Sequence, residues 1–290
     1  MRIYLIAFSL FILLPLQSVQ CHAAEAGAHA YNNLPIDLNI VQVLYFQSES
    51  SGGLSRLTTQ AGVLRYYRTF PLFGQVALIG GFLPYARAKL DVPSFALHKQ
   101  VTGISDPTLV IGMDFFGAPA LTREQFKHYK AGTVFGGSLQ ITAPLGRYDP
   151  ASRLNLSGNR WVFKPELALT QTIADWEFEL LGHYHHFTSN KTFLSKLTRE
   201  QRGRWGIDAH LSYTIMRGMW LSLDYLRRWS GETSINGVRQ GDQVRDSTIG
   251  ITAEMAFSPA IALQLTYRND IVTQSLNKTR SFTLKTQYLW

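Results

Sequence analysis

The chain has 290 residues, 46% of them hydrophobic and 12% aromatic, with a formal charge of +8. A mean hydropathy of -0.04 is too high for a disordered chain and far too low for a bundle of membrane helices. The basic residues gather in loop-like stretches without a lysine-rich run or a nucleic-acid motif, so the charge suggests an anionic membrane surface rather than nucleic acid as partner.

The chain opens with Arg2, an apolar run from Ile3 to about Leu16, then small residues. This three-part layout is that of a secretory signal peptide spanning residues 1–23, with cleavage after Ala23 or as late as Ala26. The rival reading, a lipoprotein signal acylated on Cys21, is disfavoured by Gln20 before it. Cys21 is the single cysteine, so the chain has no internal disulfide, and residues 24–290 form one cysteine-free domain suited to an oxidising compartment.

Beyond the signal, polarity alternates with period two. Strands are expected near Val43, Leu64, Leu78, Ile111, Leu139, Leu167, Leu180, Leu211, Leu223, Ile251, Leu265 and Leu284. In the fourth, Leu109, Ile111, Met113 and Phe115 oppose Thr108, Val110, Gly112 and Asp114. In the seventh, Trp176, Phe178, Leu180 and Tyr184 oppose Glu177, Glu179, His183 and His185. In the eighth, Trp205, Ile207, Leu211 and Tyr213 oppose Asp208, His210 and Ser212. The first three strands are the least regular, with Arg68 and Pro84 in uncertain register.

The connections alternate between short and long. Brief links near Thr69, Ile173, Met216 and Ser258 are interleaved with polar stretches at Ser48–Thr58, Ala88–Gly103, Gly146–Arg160, Thr188–Arg204, Ser230–Val244 and Asn269–Arg280. A soluble sandwich has no such regularity. It predicts an all-β fold, a transmembrane antiparallel up-and-down β-barrel of about 12 strands, with short periplasmic turns, long extracellular loops and both termini periplasmic. Gly117–Lys130, where a short turn is due, reads as a small periplasmic helix.

Parity then assigns a lumen. Asp114, Lys164, Glu166, Glu177, Glu179, His183, His185, Asp208, His210, Asp224, Glu254, Arg268 and Lys285 fall on polar faces and are expected to line it. Lys164 and Glu166, two apart, are expected to form a salt bridge. His183 and His185 project together but lack a third ligand, so no metal and no cofactor is assigned. Basic loop residues, among them Arg153, Arg160, Lys191, Arg199, Arg204, Arg239 and Arg280, are expected at the outer rim against lipopolysaccharide phosphates.

The stretch Ile141–Gln171 carries Pro144-Leu145-Gly146, Tyr148-Asp149, Asn155, Asn159-Arg160-Trp161 and Pro165-Glu166. This pattern resembles the signature region of the MetA-pathway of phenol degradation family of outer-membrane proteins, as does the upstream segment from Gly103 to Leu121. The resemblance implies a transporter for small aromatic or hydrophobic compounds.

With neither covalent chemistry nor an energy source visible, the expected function is passive passage of small molecules across the bacterial outer membrane, not an enzyme. One alternative is a lipid hydrolase using His210 and Ser212, with Asp224 on the next strand. Parity opposes it, because a lipase serine would face the bilayer. A second alternative is a structural barrel with a plugged lumen. The last ten residues read as a closing strand with Phe282, Tyr288 and Trp290 on one face. That terminal pattern is expected to be the signal read by the barrel-assembly machinery.

Overall fold

A computed structural model of the protein describes residues 27–52, 55–274 and 277–290. The signal segment and its cleavage sites lie outside them. The first strands are long: β1 (Asn39–Gly52), β2 (Ser55–Leu72) and β3 (Gln75–Val92). There follow β4 (Leu97–Ile104), β5 (Thr108–Phe116), the short helix α1 (Arg123–Phe126), β6 (Thr133–Thr142), β7 (Val162–Ile173) and β8 (Trp176–Phe187). The second half contains β9 (Asn190–Phe193), β10 (Leu197–Gln201), β11 (Arg204–Met216), β12 (Met219–Ser230), β13 (Thr233–Ile235) and β14 (Val238–Arg239). It ends with β15 (Val244–Ala256), β16 (Ile261–Val272) and β17 (Lys278–Leu289).

Thirteen of these strands form one antiparallel sheet, and β2 pairs both β1 and β3, so the sheet closes. β4 and β5 both pair with β3 and are two halves of one stave, which leaves 13 − 1 = 12 staves. Closure joins β1 to β17 from Ile40↔Leu289 to Ser51↔Lys278. Beyond that ladder, Asn39 and Trp290 exchange two backbone hydrogen bonds of 3.0 and 3.1 Å. A closed antiparallel wall leaves no unpaired edge, which is what hydrocarbon demands of a backbone.

Side chains alternate across this wall. Val43, Leu64, Leu167, Leu223 and Ile251 are each more than half exposed, while their neighbours in sequence are buried or half-buried. They belong to an outward apolar belt running round the barrel, far larger than a soluble surface tolerates. Aromatic pairs mark its inner border: Trp176 with Tyr213 at 4.8 Å and Tyr288 with Trp290 at 5.5 Å between ring centres. Tyr184 and Trp205, 4.5 Å apart, lie towards the long-loop end. Such girdles belong where bilayer meets water.

The loop expectations need three corrections. First, the stretches Ser48–Thr58 and Ala88–Gly103 are mostly strand, because β2 and β3 run for 18 residues each, beyond the roughly 9–11 a bilayer requires. Second, Thr188–Arg204 and Ser230–Val244 contain β9, β10, β13 and β14, which form a separate four-stranded sheet at the outer end. Third, the helix expected over Gly117–Lys130 shrinks to α1, held by a capping box between Thr122 and Gln125. Gly117 at φ 84 and Pro119 stop it from starting earlier.

The inward face is not uniformly polar, contrary to expectation. On β1, β2, β3 and β5 it carries Leu44, Phe46, Ala61, Val63, Phe82, Ala86, Ala88 and Val110, joined in one buried cluster. This explains why the first strands look irregular in sequence: both of their faces are apolar.

Candidate functional site

The polar half of the lumen is built by β7, β8, β11 and β12. Asp114, Lys164, Glu166, Glu177, Glu179, His183, His185, Asp208, His210 and Asp224 all lie on the inward face and are at most 9% exposed. Glu254, Arg268 and Lys285 are half-buried there and line a cavity. Phe282, Tyr288 and Trp290 stand on the outer face, 41%, 50% and 44% exposed.

Pairing across the staves joins the ionisable groups. Lys164 Nζ lies 2.8 Å from Glu166 Oε2. His210 Nδ1 lies 2.7 Å from Asp224 Oδ1, and Asp224 also accepts from Ser222 at 2.8 Å and Thr252 at 2.6 Å. Asp208 receives a bidentate guanidinium from Arg228. Lys285 and Glu254 meet at 3.6 Å. A buried polar group costs least when bonded, and these bonds let so many charges share one interior.

No triad forms. His210 Nε2 and Ser212 Oγ are both buried without a hydrogen-bond partner, and Ser212, 1% exposed, faces the lumen. His183 and His185 stack edge to face at 5.1 Å. Among the described residues no group of three or more His, Cys, Asp or Glu is placed to hold a metal ion. Gly206 sits against His183: a Cβ there would lie 2.2 Å from the ring, so only the bare backbone admits it.

Two segments inside the barrel escaped sequence reading. The first is Gly27–Leu38, which enters from the short-turn end. His29 stacks on Trp220 at 4.0 Å and its N–H donates to Glu179 at 2.6 Å. Tyr31 Oη donates to Glu166 at 2.8 Å and bonds Ser138 at 2.8 Å. Further down, Ile36 N–H donates to Leu121 O and Leu38 N–H to Thr69 Oγ1, each at 2.9 Å. A histidine and a tyrosine between signal and first strand were the only signal available.

The second is the loop 143–161, the signature region. It folds inward at the long-loop end, burying Leu154 and Leu156 in the apolar cluster of β1, β2, β3 and β5. Asp106 anchors it by accepting from the N–H groups of Gly146 and Gly158, both at 2.9 Å. Ser105 Oγ donates to Leu156 O at 2.7 Å. Two leucines two apart in a polar loop were the clue in sequence. The loop also carries Arg160 inward: Arg160 and Arg199 are 4% and 9% exposed. Expected at the lipopolysaccharide rim, both point into the barrel, whereas Lys191, Arg239 and Arg280 are exposed.

Between these fillings, two cavities remain. The inner one, about 370 Å³, has Ile40, Leu44, Phe82 and Val110 on one side and Asp114, Gln140, Glu166 and Lys285 among its polar lining. The outer one, about 220 Å³, is lined by Arg160, Arg199, Arg204 and Arg228 with Phe46, Leu57 and Leu226. Arg268 and Thr283 line both and so stand between the two.

The family described as "Putative MetA-pathway of phenol degradation" matches residues 45–285. No curated protein matches the chain. Among solved structures, an outer membrane channel from Pseudomonas putida F1 is similar over 92% of this chain and all of that one, with a TM-score of 0.81 and 24% identity. The transport unit of the autotransporter AIDA-I from Escherichia coli covers 92% of this chain and 94% of its own, with a TM-score of 0.53 and 9% identity. The β domain of a Bordetella autotransporter gives 0.52 and 12%, over 86% of this chain and 98% of its own. These likenesses establish the fold, an integral barrel of the bacterial outer membrane.

Proposed function

The chain belongs to the MetA-pathway of phenol degradation family, and from that premise we propose that it is an outer-membrane channel for passive passage of small molecules. The observation that carries this is the pair of cavities inside the barrel, which share Arg268 and Thr283 in their linings, one bounded by the arginines of the outer end and the other by the N-terminal segment. The apolar wall of Ile40, Leu44, Phe82 and Val110 supports solutes with an aromatic or hydrophobic body. The similar P. putida protein is described as a channel, in keeping with the same reading.

The chain acts without covalent chemistry in this reading. Ser212 has no bonded base and no exposure to lipid, so Ser212→Ala leaves any phospholipid turnover of the purified barrel unchanged. The signal peptide is removed after Ala23, a product that N-terminal sequencing of the membrane-extracted protein identifies. Lipopolysaccharide meets the exposed basic residues of the outer loops, such as Lys191 and Arg239.

The test is planar-bilayer conductance. The refolded barrel is expected to give discrete openings, larger when residues 27–34 are deleted. Silence from both proteins overturns the channel and leaves the plugged structural barrel, which His29 and Tyr31 in the lumen would otherwise favour.

A further inference from the structure

The outer cavity brings like charges together without neutralising all of them. Arg160 donates through Nη2 to Gln201 Oε1 at 2.5 Å and lies over the Phe187 ring at 4.3 Å, while its Nη1 is buried with no partner. Arg199 lies over Phe193 at 5.6 Å, with its Nε likewise buried and unpartnered. Among the described residues neither makes an ion pair. Arg204 and Arg228 line the same cavity, but Arg204 bonds His185 and Arg228 binds Asp208.

Two acids near the unpaired arginines are engaged by neutral donors, while Asp246 keeps a buried oxygen without a partner. Asp106 takes the Gly146 and Gly158 N–H groups, and Asp242 takes the N–H and hydroxyl of Thr233. Asp246 and Asp270 also line the cavity; Asp270 accepts from the Thr248 hydroxyl and Thr279 N–H. Burial first, then the Arg199 and Arg204 guanidinium groups, push the Arg160 guanidinium down to about 9. A buried guanidinium with an unpartnered donor beside a second one calls for an anion, because each unsatisfied charged donor is costly.

We propose that Arg160 and Arg199 form an anion site in the outer cavity that takes the carboxylate of a small solute with an apolar body. The cavity's walls choose the body: Phe46, Leu57, Leu226 and Val244 face it beside the arginines. Both arginines are buried, at 4% and 9% exposure, so a lipid headgroup in the outer leaflet does not reach them. Arg160 Nη1 and Arg199 Nε are the unpartnered donors, and guanidinium N–H groups suit a carboxylate. The proposal rests on the channel reading, since a solute must arrive through the outer end and leave through the inner cavity.

The test is calorimetric titration of the full-length refolded barrel with benzoate, benzyl alcohol and inorganic phosphate. Benzoate is expected to bind saturably and about tenfold or more tightly than either of the others, and Arg160→Gln and Arg199→Gln each to weaken it about tenfold. Retention of the folded, heat-modifiable gel mobility by both variants separates loss of the site from loss of the fold, and Lys191→Gln, at the exposed rim, leaves binding unchanged. Equal binding of benzoate and benzyl alcohol overturns the anion site, and tighter phosphate binding overturns the carboxylate assignment. So does benzoate binding indifferent to both folded variants. A barrel that conducts but shows any of these results keeps its channel and loses this site. One that binds benzoate through both arginines yet stays silent in a bilayer loses the channel and keeps the anion site.

Discussion

Lys164 and Glu166 show how a lumen tolerates charge. They sit two apart on β7, 4% and 3% exposed, and close to 2.8 Å. Removing one partner strands the other: Lys164→Met leaves the Glu166 carboxylate buried with the Tyr31 hydroxyl still donating to it. Breaking a buried pair costs about 3–5 kcal/mol, whereas replacing both partners with apolar groups is close to neutral. Urea unfolding in phospholipid vesicles is expected to show that loss for Lys164→Met and recovery of most of it in Lys164→Met/Glu166→Leu. Both residues were legible in the sequence, because parity on a strand is a local property. Arg160 and Arg199 were not: neither lies on a barrel stave, so no parity rule assigns them an inside.

At the scale of elements, the wall and its fillings have different origins. β17 closes the barrel through a ladder with β1 that ends in the Asn39–Trp290 exchange. Trp290 also lies 6.5 Å from Tyr66 and 5.5 Å from Tyr288, within the inner aromatic border. Deleting Trp290 is expected to lower the amount of folded barrel in the outer membrane while leaving single-channel conductance intact; normal membrane levels of the truncated protein would refute an assembly role. The loop 143–161 is held differently, by Leu154 and Leu156 buried at 5% and 2% exposure. Leu156→Asp places a charge among Leu44, Phe46 and Val63, and losing a buried leucine alone costs about 2–5 kcal/mol. Released from the wall, the loop is expected to become cleavable by trypsin at half-buried Arg153 in intact vesicles, which gel analysis of limited digests reports.

For the molecule as a whole, the lumen is divided. The N-terminal segment occupies the polar half near the short-turn end and the signature loop covers the apolar half near the long-loop end. Deleting residues 27–34 removes the His29 and Tyr31 contacts but spares the Ile36 and Leu38 hydrogen bonds that hold the segment's base. Bilayer recordings are expected to show a conductance increase of several-fold with no change in fold, since the wall's own pairing is untouched. An unchanged conductance would mean that the segment does not limit the path.

Period-two alternation and the short–long rhythm of connections were enough to determine the closed wall and its number of staves, and they assign the polar set from Asp114 to Lys285 to one face of it. Each follows from strand geometry, in which neighbouring residues face opposite sides. Tertiary structure alone decided what occupies the space the wall encloses. His29 reaches Trp220 and Glu179 across 191 and 150 residues of chain, and Leu156 joins the cluster that holds Phe46, 110 residues earlier. No local pattern encodes such contacts, because each joins a segment to staves far from it in the chain.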